Sequence, residues 1–196
     1  MTKYRGLPKG FAQFIELESV AIRCRYVQTS LVPGMLQTRD YATAVVVAGG
    51  GSEEVVRRSV DIRMHRQDLL GANGPEMFFI IDESVLHRVI GNVEVMREQL
   101  GHIRDLAATD QITVQVVPFA AGTHPAMKGS YSILEINEDE EDYSLFLEEL
   151  YRPSLVQDDS EIVREYLKYF FQLERFALPA GETPRVIDER LEHLGG

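Results

Sequence analysis

Apolar residues recur at three- and four-residue steps along most of the first seventy positions. In 11–27, FAQFIELESVAIRCRYV, the residues Phe14, Leu17, Val20 with Ala21, and Cys24 share one helical face, which predicts an amphipathic helix. Pro33 and Gly34 then interrupt, because proline fixes its own φ and biases the residue before it away from helix. The helical pattern resumes over 35–48 with Leu36, Tyr41, Ala44, Val45 and Ala48, and stops at the glycines 49–51. Ser52 is a good N-cap, and Glu53 and Glu54 suit the positive end of a helix dipole. A third helix is predicted over 53–70, with Val56, Val60, Met64 and Leu70 facing inward.

The period changes after GANGP. EMFFIID (76–82) is a short apolar run rich in strand formers, ESVLHRVIG (83–91) a short helix, and 92–109 a longer helix capped by Asn92. QITVQVVPF (111–119) alternates and ends at a proline, as a strand does. Strands are also predicted over 129–136 and 143–150, with the acidic NEDEED (137–142) as their solvated hairpin loop, and over 151–156. SEIVREYLKYFFQLERFAL (160–178) places Ile162, Tyr166, Tyr169, Phe170 and Leu173 on a helix face, and a last helix covers 184–194. Consecutive strands with short connections favour antiparallel pairing. The predicted class is α+β: N-terminal helices on a mostly antiparallel sheet of four to five strands, with C-terminal helices. Residues 1–8 are a tail. Residues 9–196 form a single ligand- or partner-binding domain, divided into a helical part (9–72), a sheet part (76–157) and C-terminal helices (158–194). The Pro33–Gly34 corner is expected to clamp an all-helical front half onto a strand-built rear half, with any cleft at their seam.

Charge narrows the function classes. The 196 residues carry a net charge of -11, unevenly spread. Residues 1–70 hold ten Lys/Arg against seven Asp/Glu, and the remainder ten against twenty-four. Such a surface repels phosphate backbones, so no direct nucleic-acid partner is expected. A small molecule in a sheltered cleft, or a small basic partner protein, fits better; a homodimer is left open. No eighteen-residue apolar run and no signal peptide occur, so a cytoplasmic chain without a membrane partner is expected. The single Cys24 allows neither an internal disulfide framework nor a Cys-based zinc site.

Candidate chemistry is sparse. The loop PFAAGTHPAMKGSY (118–131) holds His124, which could exchange a proton near neutral pH, and Lys128. Asp82 and Glu83 follow a strand and open a helix; Glu83 is either a base or a dipole-compensating carboxylate. Arg63, Arg66 and Gln67 share a face of the third helix and could clamp a carboxylate or phosphate, or pair with the acidic half. Gln37 and Thr38 could bond exposed backbone ends beside the Pro-Gly corner. Asp61 and His65 stand four apart but lack a third ligand. No metal and no cofactor is expected, and no G-x-S-x-G, H-E-x-x-H or G-x-G-x-x-G occurs.

Five segments in register carry a resemblance. FIELESVAIRCRYV, LVPGMLQTRDYA, RRSVDIRMHRQDLL, IDESVLHRVIGNVEVMREQLGHI and ITVQVVPFAAGTHPAMKGSYSIL follow one another as in a domain of unknown function found in actinomycetes, whose signature VPGLLQT-x-x-YA is similar to residues 31–42. That domain forms the C-terminal part of XRE-like, WhiJ-type and antitoxin-like helix-turn-helix transcriptional regulators. The resemblance covers roughly residues 9–180. About ten residues precede the first matching helix here, where the family carries a DNA-binding unit, so the chain is either an excised domain or a stand-alone relative. The resemblance implies a regulatory ligand- or protein-binding domain, with Arg63, Arg66, Gln67, Gln37 and Lys128 as candidate ligand contacts. The alternative is a stand-alone biosynthetic enzyme on the same scaffold. It would promote cyclisation or isomerisation of an apolar natural-product intermediate, with His124 and Glu83 as its catalytic groups.

Overall fold

Residues 23–28 decide the architecture. In the computed structural model, which describes residues 7–71, 73–137, 142–148, 154–156 and 160–194, the first helix α1 covers only Lys9–Glu18. The chain turns at Ser19, whose hydroxyl donates to the Glu16 carbonyl, and re-emerges as strand β1, Arg23–Gln28. The helix expected over 11–27 is thus cut short, and the front half is not all-helical. The reason is a hidden alternation: Cys24 and Tyr26 point to one face of a sheet, Arg25 and Val27 to the other. Arg25 reads as polar, yet it is buried. It pairs with Glu135 at 3.0 Å and lies 5.7–5.9 Å from the ring centroids of Phe78, Phe170 and Phe171.

The remaining elements follow the sequence pattern closely. Helices α2 (Arg39–Ala48) and α3 (Glu53–Arg66) are capped by Thr38 and Ser52, and a single 3-10 turn, Gln67–Leu70, extends α3. Strand β2 (Glu76–Asp82), the short α4 (Ser84–His87), α5 (Val93–Leu106, capped by Asn92) and β3 (Ile112–Val117) come next. Then come β4 (Tyr131–Glu135), β5 (Tyr143–Leu147), β6 (Ser154–Val156), α6 (Ser160–Leu173) and α7 (Thr183–Glu192). Residues 138–141 of the expected acidic hairpin loop, and 149–153 of the expected strands, lie outside the described residues.

The sheet has six strands in the order β3-β2-β1-β4-β5-β6. The class is α+β. The strand count exceeds the expected four to five because residues 23–28 contribute one. The sheet is mixed: β1 pairs parallel with β2, and β2 with β3, whereas β1–β4, β4–β5 and β5–β6 are antiparallel. Helical segments connect the parallel strands, as parallel pairing requires.

Each face of the sheet has its own core. Cys24, Tyr26, Met77, Phe79, Val114, Val116, Leu134 and Phe146 pack against Phe14 and Ile15 of α1, Tyr41 of α2, Met96, Leu100 and Ile103 of α5, and Ile187 of α7. On the other face Val27, Ile80, Tyr131, Ile133 and Leu145 meet Val163, Phe170 and Leu173 of α6. Burying each large side chain contributes about 1.5–3 kcal/mol. One topological feature positions the site. From β1 the chain runs to β2 on one side, while β4 fills the other, so the order reverses between β1 and β4. The stretch that leaves the carboxyl end of β1 there borders the cleft.

Candidate functional site

The chain leaves β1 through residues 29–38, the stretch around Pro33–Gly34. It is a turn, and it is also the wall of a cleft. Pro33 opens a 3-10 turn, Gly34–Leu36, closed by the bond from the Leu36 N–H to the Pro33 carbonyl at 2.8 Å; Met35 and Leu36 are fully buried. Two glutamines hold its backbone from outside. Gln99 of α5, itself fully buried, accepts from the Thr38 N–H at 2.7 Å and donates to the Leu36 carbonyl at 2.6 Å. Gln67 donates to the Gln37 carbonyl at 2.6 Å. From within the loop, Gln37 Nε2 donates to the Val32 carbonyl at 2.8 Å, and Thr38 Oγ1 accepts from the Tyr41 N–H. Both backbone roles proposed for Gln37 and Thr38 are therefore present.

Between this loop, α1, α3 and the sheet lies a cavity of about 240 Å³. Its walls are aromatic and aliphatic: Phe11, Phe14, Tyr26 and Phe146, with Leu31, Val32 and Val45. Its polar groups are Gln28 at the end of β1, Gln37, Arg63, Arg66, Ser132 and Glu148. Gly34 also lines it, with its Cα so placed that a Cβ would stand 3.5 Å from Arg66 and 4.0 Å from Arg63.

The two arginines differ. Arg66 grips Glu18 with two bonds, 2.7 and 2.6 Å, and Glu18 also accepts from the Tyr26 hydroxyl at 2.5 Å. Glu18 is 0% exposed and Arg66 8% exposed. Burial alone would lower the Arg66 pKa, but the Glu18 carboxylate outweighs it and the pKa is raised. Its guanidinium also lies 5.6 Å from the ring centroids of Phe11 and Phe14. Arg63, one turn earlier, donates to the Ser59 carbonyl at 3.1 Å, and among the described residues no carboxylate forms an ion pair with it. Its pKa is lowered, by burial first and by the Arg66 charge second. Glu148, exposed at the mouth of the cleft, accepts from Gln28 Nε2 at 2.8 Å. The surrounding protein desolvates its carboxyl and raises the pKa, against the pull of Gln28, Arg66 and Arg63. Two charges thus cancel deep in the cleft, and one of each sign is left above them.

Of the residues singled out in the sequence, Arg63, Arg66 and Gln37 line this cleft, and Gln67 braces its wall from behind. Lys128 belongs to a smaller hollow of about 150 Å³ on the α6 side, where its ammonium sits 5.1 Å from the Tyr169 ring centroid beside Tyr131 and Tyr166. His124 and Glu83 line neither. His124 Nε2 bonds Asp82 Oδ2 at 3.1 Å with Nδ1 buried and without a partner among the described residues, and Asp82 Oδ1 accepts from the Ser84 N–H. Glu83 accepts from the Phe119 N–H at 2.6 Å and bonds His87 at 3.2 Å. Both therefore fasten the loop after β3 onto the end of β2. Asp61 pairs with Arg39 and His65 with Asp68, and among the described residues no group of three His, Cys, Asp or Glu could hold a metal. Sequence reasoning missed Gln28, Ser132, Glu148 and the aromatic walls. Gln28 is the last residue of the strand whose alternation Arg25 conceals, and Glu148 lies in the run 143–150 that reads simply as strand.

The chain matches the family described as Domain of unknown function (DUF5753) over residues 11–189. No curated protein and no solved structure matches it. Among the described residues no helix is long and apolar enough to cross a membrane.

Proposed function

The chain belongs to the DUF5753 family, and from that premise we propose that it is a regulatory ligand-binding domain that takes a small organic acid into the cleft beside Pro33–Gly34. The observation that carries this reading is Arg63: a guanidinium partly withdrawn from water in an aromatic-walled crevice, with a backbone carbonyl but no carboxylate bonded to it among the described residues. A desolvated cation with no carboxylate bonded to it is costly even with Glu148 in the same cleft, and a bidentate anion is the ligand that its fork matches. The likeness to the C-terminal domains of XRE-like regulators adds the regulatory role. Binding here would be passed to a DNA-binding unit, attached or separate, while the acidic chain itself stays off DNA. A stand-alone enzyme would need reacting groups facing the substrate, and His124 and Glu83 are committed to the loop after β3.

Calorimetry against a panel of apolar organic acids, with and without an amine, tests this. A charge-assisted bond to Arg63 contributes about 1.5–3 kcal/mol, so Arg63→Gln should weaken binding about ten- to hundredfold. If no acid in the panel gives Arg63-dependent binding, the reading is wrong.

A further inference from the structure

We propose that the cleft is built for an amphoteric ligand, an α-amino acid with an apolar side chain or a molecule ending in one, with its carboxylate on Arg63 and its ammonium on Glu148. The inference rests on the organic-acid reading above and specifies the class of acid. Three observations carry it.

The first is the charge pattern. Arg66 and Glu18 satisfy each other at the base of the cleft. Arg63 and Glu148 both line the space above, and they do not pair with one another. A simple carboxylate entering here would satisfy Arg63 and meet Glu148 as a like charge. A simple amine would meet the converse. A ligand with both groups answers both, and each charge-assisted contact is then of opposite sign. The second is the acceptor set lining the cleft. Glu148 is held by Gln28 through one oxygen, Oε1. The Gln37 side chain, 3% exposed, has Oε1 without a partner among the described residues. Acceptors suit an ammonium, which has three donors. The third is size and lining. A cavity of about 240 Å³ is smaller than the roughly 300–1,000 Å³ typical of drug-sized ligands, and Phe14, Tyr26, Phe146, Val32 and Val45 offer apolar contact to a side chain.

The test uses matched probes on the full chain: L-phenylalanine, 3-phenylpropanoate and 2-phenylethylamine, with L-leucine, 4-methylpentanoate and 3-methylbutylamine as a second set. In at least one set the amino acid should bind about tenfold or more tightly than either analogue. Glu148→Gln should erase its advantage over the deaminated acid, and Arg63→Gln its advantage over the amine. Gly34→Val, which sets methyls against Arg63 and Arg66 without removing either charge, should block the whole set, while thermal unfolding shows that each variant folds. Binding of the deaminated acid as tightly as the amino acid, unaffected by Glu148→Gln, overturns this proposal but leaves the organic-acid reading standing if Arg63 still matters. Silence from both sets also overturns it, and the broader reading falls only if the wider acid panel is silent too.

Discussion

Glu18 is a carboxylate with no access to water, and it is tolerable only because Arg66 and Tyr26 saturate it. Removing one member of such a pair strands the other. Glu18→Leu is expected to lose about 3–5 kcal/mol of stability in urea unfolding, whereas the double variant Glu18→Leu with Arg66→Met should recover most of it. A double variant no better than the single one would show that the pair is not the source of the loss. Arg66 also shows where reading residues in sequence stops. Its helix face is evident from spacing, and a carboxylate partner is a fair guess. That the partner sits 48 positions earlier in α1, so that Arg66 is spent while Arg63 remains available, follows only from folding.

Helix ends with good caps were legible at Ser52 and Asn92, which accept the expected N–H; the start of α2 was not, because the helix expected from residue 35 begins at Arg39 behind the Thr38 cap. Strand β1 was not, because Arg23 and Arg25 are polar letters at positions that end half-buried or buried, paired with Glu76 and Glu135. A strand whose charged residues are neutralised by its neighbours gives no alternation to read. Helix α5 supplies a pH dependence. His102 is partly buried with Nε2 lacking a partner among the described residues, and desolvation lowers its pKa below 6.5, with Asp105 and Glu98 opposing. The unfolded chain therefore binds the proton more readily. This contribution to stability is intact above about pH 6.5 and is lost as pH falls from that value through the lower pKa of the folded state. The urea midpoint should drop more on acidification for the native protein than for His102→Gln. Equal pH profiles would assign the loss elsewhere.

Across the chain, the count of strands and helices could be read from the sequence to within one element, but the mixed order of the sheet could not. Pairing β1 with β2 and β4 joins segments separated by about fifty and about a hundred residues, and no local signal encodes that. The cleft depends on this order, so it was invisible too, apart from its arginines and the Pro-Gly turn. The acidic balance of the chain predicts no retardation of duplex DNA in an electrophoretic shift assay even at about 50 mM salt, where nonspecific binding is strongest; a retarded band would refute it. The pair of glutamines behind residues 34–38 has a mechanical corollary. Pulling that strip of backbone away from Gln67 or Gln99 would orphan peptide groups at about 1–3 kcal/mol apiece. Whatever pushes on the strip from the cavity side therefore drags α3 and α5 along, and the imprint of an occupant travels outward through two rods instead of dying in a floppy hinge.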